Sequence, residues 1–172
     1  KQAETALQEQ VAFNELITAI STPFINLAPE ETDAGIEQAL ATVGAFTDVD
    51  RSYVFLYSAD GQTMDCRYEW CAPGIAPQRS RLQNLSTAAL AWSNAILQRG
   101  DVLHIPRVAD LPPEARPERQ EFQAQDIRSL AAVPIAYRGR VLGFLGFDAV
   151  RQEKTWPAGT INLLQILGAI FA

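Results

Sequence analysis

The chain has 172 residues, of which 48% are hydrophobic and 20% charged, so it can form one domain of ordinary size with a substantial core. Its net charge of −6 and only 14 scattered Lys and Arg residues argue against nucleic acid or an anionic membrane surface as a partner, because both need clustered positive charge. We also expect neither a membrane span nor a signal peptide, because the chain has no long apolar run and its N-terminal stretch is polar.

The first part of the chain predicts two helices. Residues 2–21 repeat apolar side chains at helical spacing, with Leu7 and Val11 among them. Prolines interrupt this pattern, and a second amphipathic helix is expected over about residues 30–44. Two helices therefore precede any strand.

The period of the pattern then changes to two, which predicts a β-hairpin. Residues 52–57 are apolar on both faces, with Tyr53 and Phe55 on one of them, as in a central strand. Asp60-Gly61 is a strong turn signal. A second strand follows over residues 63–70, and strict alternation places four side chains on one face of it: Met64, Cys66, Tyr68 and Trp70.

Residues 72–128 are less regular and are expected to form an insert between two hairpins. A short helix is predicted over residues 87–99, a short strand over 102–105 and a polar helix over 118–125. Several prolines separate these elements. The insert is therefore expected to cover the sheet rather than extend it far.

A second hairpin and a strongly apolar helix complete the pattern. Strands over residues 129–137 and 141–150 are joined through Arg138-Gly139-Arg140, and a helix over 158–171 is apolar on nearly all sides. Packing on a single domain needs one apolar stripe, so the second stripe predicts contact with another copy of the chain. We expect the first and last helices to form a homodimer interface through six residues: Leu7, Val11, Leu163, Leu164, Ile166 and Ile170.

Both ends of the chain fall inside predicted helices. Neither end carries a capping signal, and the chain has no initiating Met. We therefore expect residues 1–172 to be one domain from a longer protein, with terminal helices that continue into adjacent domains.

The sequence does not supply the residues of common catalytic or metal sites. His104 is the only histidine, so any catalytic triad or axial haem ligand would have to use it, and nothing in its spacing supports either role. Cys66 and Cys71 fall on opposite faces of extended chain, too far apart for a disulfide or a shared metal ion. We expect no catalytic residues, no metal site and, from the free thiols, a cytoplasmic location.

Two stretches of the chain resemble the GAF domain family. Val49-Asp50-Arg51 enters the first predicted strand, and Ser-Leu-Ala-Ala-Val-Pro-Ile over residues 129–135 begins the second hairpin. Gly139 and the Gly-Phe-Leu-Gly-Phe run over 143–147 follow it. This order of Ser-Leu, Val-Pro-Ile, Gly and Gly-Phe is similar to the most diagnostic stretch of the family, and the resemblance covers nearly the whole chain.

The resemblance implies an α+β fold and a regulatory function without enzyme activity. The expected architecture is a central, mainly antiparallel sheet of five or six strands, with the terminal helices on one face and the insert on the other. The chain looks closest to GAF domains of bacterial two-component proteins such as hybrid histidine kinases and response regulators. We therefore expect it to couple a small-molecule or conformational signal to an adjacent output domain through a helical dimer.

The resemblance also implies a ligand pocket between the sheet and the insert. Asp148 is informative there, because a carboxylate on a buried face needs a partner, which Arg51 or Arg128 could supply. Gly143 and Gly146 are expected to serve packing rather than ligand contact. Seven residues are predicted to line the pocket: Tyr53, Phe55, Trp70, Trp92, Arg128, Phe144 and Asp148.

The identity of a ligand is left open by the sequence. Residues 117–128 lack the cysteine, usually followed by histidine, to which bilins are attached in phytochromes, and the Asn-Lys-Phe-Asp-Glu signature of cyclic-nucleotide-binding GAF domains is missing. Covalent bilin and haem are both disfavoured, and the expected ligand is an unidentified small molecule. Two alternatives remain: a ligand-free dimerisation module with an aromatic-filled pocket, and a thiol-dependent reductase with a low-pKa Cys66 or Cys71.

Overall fold

One antiparallel sheet of six strands separates two layers of helices and loops in a computed structural model that describes all 172 residues. Its strand order is β3-β2-β1-β6-β5-β4. The elements in chain order are α1 (Gln2–Ile25), α2 (Thr32–Phe46), β1 (Arg51–Tyr57), β2 (Thr63–Cys71), β3 (Leu85–Ser86), α3 (Ala91–Gln98), β4 (Leu103–Ile105), α4 (Arg116–Ala124), β5 (Ser129–Tyr137), β6 (Arg140–Ala149) and α5 (Ala158–Phe171).

The sheet consists of two hairpins joined at its centre, β1–β2 and β5–β6, with β1 paired to β6. The turn of the second hairpin contains Arg138 and Gly139, both at positive φ (50° and 77°), as in the two-residue turns that match the twist of antiparallel strands. The predicted architecture of five or six mainly antiparallel strands is therefore confirmed. None of the helices combines the length and the apolarity that a membrane crossing requires.

Helices α1, α2 and α5 cover one face of the sheet. Their apolar side chains join Val54, Leu145 and Phe147 from the central strands in one buried cluster. The short elements between β2 and β5, including α3 and α4, cover the other face and form a second cluster with Tyr53 and Phe55. Neighbouring residues of β1 thus face different layers, which is the alternation expected of a strand buried on both sides.

Helix α5 packs on the sheet through residues of both of its apolar stripes. Leu163 and Leu164, which the sequence placed at a dimer interface, are fully buried in the core of a single chain. The prediction for these two residues is wrong because an all-round apolar helix does not reveal which of its residues its own sheet will cover. Ile166 and Ile170 are half-buried, whereas Leu7 and Val11 on α1 are 65% and 47% exposed.

Strand β2 contains a bulge that reverses the direction of its side chains. Val54 pairs with Tyr68 but the next residue of β1 pairs with Cys66, so Arg67 is an extra residue on β2. Met64 and Cys66 therefore face the insert, whereas Tyr68 and Trp70 pack in the helical layer. The prediction that these four side chains share one face is wrong for this reason.

The position of Trp70 can be tested through Gly44 in the last turn of α2. A Cβ atom at residue 44 would lie 2.4 Å from the Trp70 ring, whereas a Cβ atom at Gly159 in α5 would meet nothing within 4 Å. Alanine is intrinsically the better helix former by about 1 kcal/mol. We nevertheless expect Gly44→Ala to lower the free energy of unfolding by roughly 1–3 kcal/mol through overpacking.

Gly159→Ala is the matched control, and it should leave the free energy of unfolding unchanged or raise it. Urea unfolding followed by circular dichroism measures both variants. Equal stabilisation by the two substitutions would show that Trp70 does not pack against α2.

Candidate functional site

A mainly apolar cavity lies between the sheet and the insert. Side chains from β1, β2, β5 and β6 form its floor, and α3, α4 and the loop before β3 cover it. The space open to the centre of a water molecule is about 60 Å³. A cavity in which the centre of a water molecule can move through that volume has room for several water-sized groups.

Aromatic rings from the two central strands form one wall of the cavity. Phe55 stacks on Phe144, with ring centroids 4.9 Å apart and planes 9° from parallel, and Tyr53 meets Phe55 edge-on at 5.6 Å. The Tyr53 ring occupies the place of a side chain at Gly146, where a Cβ atom would lie 2.7 Å from it. At Gly143 a Cβ atom would lie 1.9 Å from the Phe55 carbonyl oxygen, so both glycines serve packing, as predicted.

A buried ion pair lies at one end of this wall. Arg51 on β1 and Asp148 on β6 occupy paired positions, and each residue is only 2% exposed. The Arg51 guanidinium donates from Nη1 to Asp148 Oδ2 at 3.3 Å, from Nε to the Ala76 carbonyl at 3.1 Å and from Nη2 to the Gln125 carbonyl at 3.1 Å. Of the two partners that the sequence left open for Asp148, the structure selects Arg51.

The second carboxylate oxygen of Asp148 has no hydrogen-bond partner. Its Oδ1 atom is fully buried, and the residue lines the cavity. Burial raises the pKa of Asp148 to about 7, although Arg51 and the hydroxyl of Tyr53 act in the opposite direction. An unpaired buried acceptor is costly, so this atom marks a place where a ligand donor would be favourable.

Two further carboxylates reach the lining of the cavity. Glu69 accepts hydrogen bonds from the backbone N–H groups of Gln78 and Arg79 at 3.0 and 3.1 Å, and Glu121 accepts one from Arg81 at 3.0 Å. Among the lining side chains there are three carboxylates and no Lys, Arg or His. Asp148 and Glu121 are each paired with an arginine outside the lining, so the cavity presents carboxylates but no cation to a ligand.

The structure brings together four of the seven side chains predicted to line the pocket: Tyr53, Phe55, Phe144 and Asp148. Trp70 packs in the helical layer behind the β2 bulge. Trp92 lies in a shallow surface depression beside His104, because α3 turns Ser93 and Asn94 toward the cavity instead. Arg128 is exposed. The last three do not line the cavity.

Sequence reasoning missed Glu69, Glu121 and Asn94 in the lining. Strict alternation in β2 places Glu69 on the opposite face of the strand from Cys66. The bulge at Arg67 brings both residues to the cavity. The Asn94 side chain joins α3 to the sheet, because its Oδ1 accepts a hydrogen bond from the Tyr57 hydroxyl at 2.9 Å. Only the helical phase of α3 and α4 could have indicated that Asn94 and Glu121 face the cavity. Both helices are too short for the sequence pattern to define that phase.

Both thiols are poor nucleophiles in this environment. Cys66 is buried in the cavity lining and Cys71 is half-buried, and neither forms a disulfide. Burial raises the pKa of the Cys66 thiol to about 12 and that of Cys71 to about 11. Thiol catalysis requires a lowered pKa, so this environment counts against a reductase.

His104 has a structural contact. Its Nε2 atom accepts a hydrogen bond from the backbone N–H of Trp156 at 3.3 Å, and burial lowers its pKa.

Comparison with known proteins identifies a family model and a curated relative that match most of the chain. The model of the GAF domain family matches residues 31–172. The methanogenesis regulatory histidine kinase FilI of Methanothrix harundinacea (strain 6Ac) is 33% identical over 141 residues, which cover 79% of this chain but only 16% of that protein. The chain therefore spans a small part of the curated relative that it matches.

Solved structures share the fold at low sequence identity. A phycocyanobilin-bound GAF domain from a cyanobacterial phytochrome has a TM-score of 0.75 at 16% identity, over 92% of this chain and 91% of that one. The GAF domain of an Acinetobacter phosphoenolpyruvate-protein phosphotransferase has a TM-score of 0.72 at 13% identity, over 93% and 90%. At these sequence identities, the similarity shows a shared fold alone.

The raised pKa of Asp148 predicts a specific pH dependence of stability. Between about pH 4 and pH 7 the folded chain holds a proton on Asp148 that the unfolded chain releases, so this group makes the free energy of unfolding fall as the pH rises through that window. Asp148→Asn should abolish this fall, and urea unfolding at several pH values measures it.

Asp110→Asn, at an exposed carboxylate, is the control and should keep the pH profile of the wild type. Identical pH profiles for wild type and Asp148→Asn would contradict the raised pKa.

Proposed function

The chain belongs to the GAF domain family, and we propose that it is a sensory or regulatory module that binds a small molecule in the cavity and couples binding to adjacent domains of a signalling protein. The observation that carries the proposal is a mainly apolar cavity lined by Asp148, a residue that has one buried carboxylate oxygen without a hydrogen bond. Apolar cavities with a few convergent polar groups are the usual form of small-molecule sites.

The two-sided sheet supplies a physical route from the cavity to the helices. In β1, Phe55 contacts the cavity while Val54 packs under the helical layer, and in β6 the same holds for Phe144 and Leu145. A ligand that displaces the aromatic wall would therefore shift strands on which the terminal helices rest. Coupling of this kind is limited by the difference in ligand affinity between the two states.

We propose a ligand much smaller than a bilin. The phytochrome domain that shares the fold binds phycocyanobilin, whereas the space open to the centre of a water molecule in the cavity here is only about 60 Å³. Residues 117–128 also lack a cysteine for covalent attachment.

The proposed role is regulatory rather than catalytic. The raised pKa values of Cys66 and Cys71 count against a thiol reductase. The FilI relative is named as a regulatory histidine kinase, which favours a two-component protein as the setting. Free thiols favour the cytoplasm as the location.

We further propose that α1 and the outer side of α5 pair with a second copy of the chain. Leu7 and Val11 are exposed on the side of α1 turned away from the core, and Ile166 is half-exposed on α5, where Ile170 packs partly against the core. Apolar residues at such spacing on a free helix face are typical of helix pairing. A dimer of this kind would bring output domains together.

Occupation of the cavity can be tested with a filling substitution. Ala132 lies buried in the lining on β5, and Ala136 is exposed near the end of the same strand. For protein purified from its own host, we expect native mass spectrometry to show a non-covalent adduct on wild type and on the control Ala136→Leu, but not on Ala132→Leu.

Thermal melts should show that Ala132→Leu is folded, and Leu97→Phe provides a second filling variant. If the wild type carries no adduct, the ligand-free dimerisation module is the better description. An adduct that survives both filling variants would place the ligand elsewhere.

Dimerisation is tested at exposed positions only. Light scattering should show that Leu7→Glu or Val11→Glu converts dimers to monomers, because a buried charge at a helix interface is unfavourable. Gln8→Glu, on an adjacent side of α1, should leave the mass unchanged. Leu164→Glu is unsuitable because it would place a carboxylate in the core of a single chain. A monomeric wild type would overturn the proposal.

A further inference from the structure

We propose that the cavity selects small organic cations, namely protonated amines with an apolar body, whose N–H group donates to Oδ1 of Asp148. This inference rests on the ligand-binding role proposed above and adds the chemical class of the ligand. It depends on three independent features of the cavity: the unsatisfied carboxylate oxygen, the charge of the lining and the aromatic wall.

The first feature is the incomplete pairing of Asp148. Its Oδ2 atom has one contact, to Arg51 at 3.3 Å, which is longer than the roughly 2.7–2.9 Å of a strong charge-assisted hydrogen bond. Nε and Nη2 of Arg51 donate to the carbonyl groups of Ala76 and Gln125, which fixes the orientation of the guanidinium, and none of its N–H groups donates to Oδ1. Oδ1 is therefore buried without a hydrogen bond from Arg51, and the Tyr53 hydroxyl is the protein donor that interacts with this carboxylate.

The second feature is the sign of the charge. Asp148, Glu69 and Glu121 are the ionisable acids of the lining, and no Lys, Arg or His side chain lines the cavity. Arg51 and Arg81 pair with Asp148 and Glu121 from outside the lining, so an anionic ligand would meet carboxylates and no cation inside the cavity. A positively charged donor satisfies Oδ1 and is attracted by the other two groups.

The third feature is the composition of the remaining lining. The rings of Tyr53, Phe55 and Phe144 stand beside Asp148 on the central strands, and aromatic faces attract ammonium groups. Aliphatic side chains such as Leu97 and Leu130 fill the rest of the wall, so the body of the ligand has to be apolar. The volume limits the ligand to a small molecule.

Binding of a cation should also respond to pH, because only ionised Asp148 carries the charge that attracts it. The titratable groups around its carboxylate are Arg51 and Tyr53 on β1 and three residues of β2, Cys66, Glu69 and Cys71, while Glu121 reaches the lining from α4. Amines remain protonated well above neutral pH. Affinity should therefore rise between pH 6 and pH 8, a readout that needs no substitution.

The test uses three probes of similar size on the wild-type chain, measured by calorimetry at pH 8: cyclopentylammonium, cyclopentanol and cyclopentanecarboxylate. We expect the amine to bind at least about tenfold more tightly than the alcohol, and the carboxylate not to bind. Asp148→Asn should weaken the amine at least about tenfold and change the alcohol little. Asp110→Asn, the exposed control, should leave all three affinities unchanged.

The outcomes separate this inference from the proposed function. Equal affinities for amine and alcohol that Asp148→Asn leaves unchanged would overturn cation selection, while the cavity would remain a ligand site. Tighter binding of the carboxylate would overturn it as well. If no probe binds, the adduct carried from the host decides: an amine supports the inference, and a neutral or acidic molecule overturns it. Absence of any probe or adduct would overturn the ligand-binding function itself.

Discussion

The buried pair of Arg51 and Asp148 is the interaction on which the arrangement of the cavity depends. Removing two charges from water is costly, and a single contact at 3.3 Å does not offset that cost. Arg51 recovers part of it from the carbonyl groups of Ala76 and Gln125. Those groups belong to the loop after β2 and to the end of α4, so one guanidinium holds the covering layer onto the central strands. Asp148, which lines the cavity, is then left with one buried oxygen without a hydrogen bond.

The same pair lies on the two strands that separate the layers of the domain. Because β1 and β6 are buried on both sides, their alternate residues contribute to the cavity wall and to the helical core. Because both faces of these strands are packed against protein, a shift of a strand caused at one face also displaces the side chains at the other face. The fold therefore suits a module that joins a small-molecule site to helices, whichever domain those helices serve.

Most of the fold could be predicted from the sequence, whereas only part of the site could. Period-two patterns and the turn signals locate both hairpins, because alternation and turn chemistry are local properties. The errors lie where a local rule has an exception. One extra residue at Arg67 transfers Trp70 to the helical layer and Glu69 to the cavity. The phase of the short helix α3 turns Trp92 away from the cavity and Asn94 toward it.

The sequence by itself determined the element order, the family resemblance and the aromatic wall with Asp148, because these follow from residue type and strand parity. Tertiary structure decided the rest. It selected Arg51 over Arg128 as the partner of Asp148, since β1 and β6 are adjacent and paired at those positions. It also placed Leu163 and Leu164 in the core, because an apolar helix buries whichever residues the sheet meets. Pairing between segments distant in the chain carries no local signal, so only the folded arrangement reveals it.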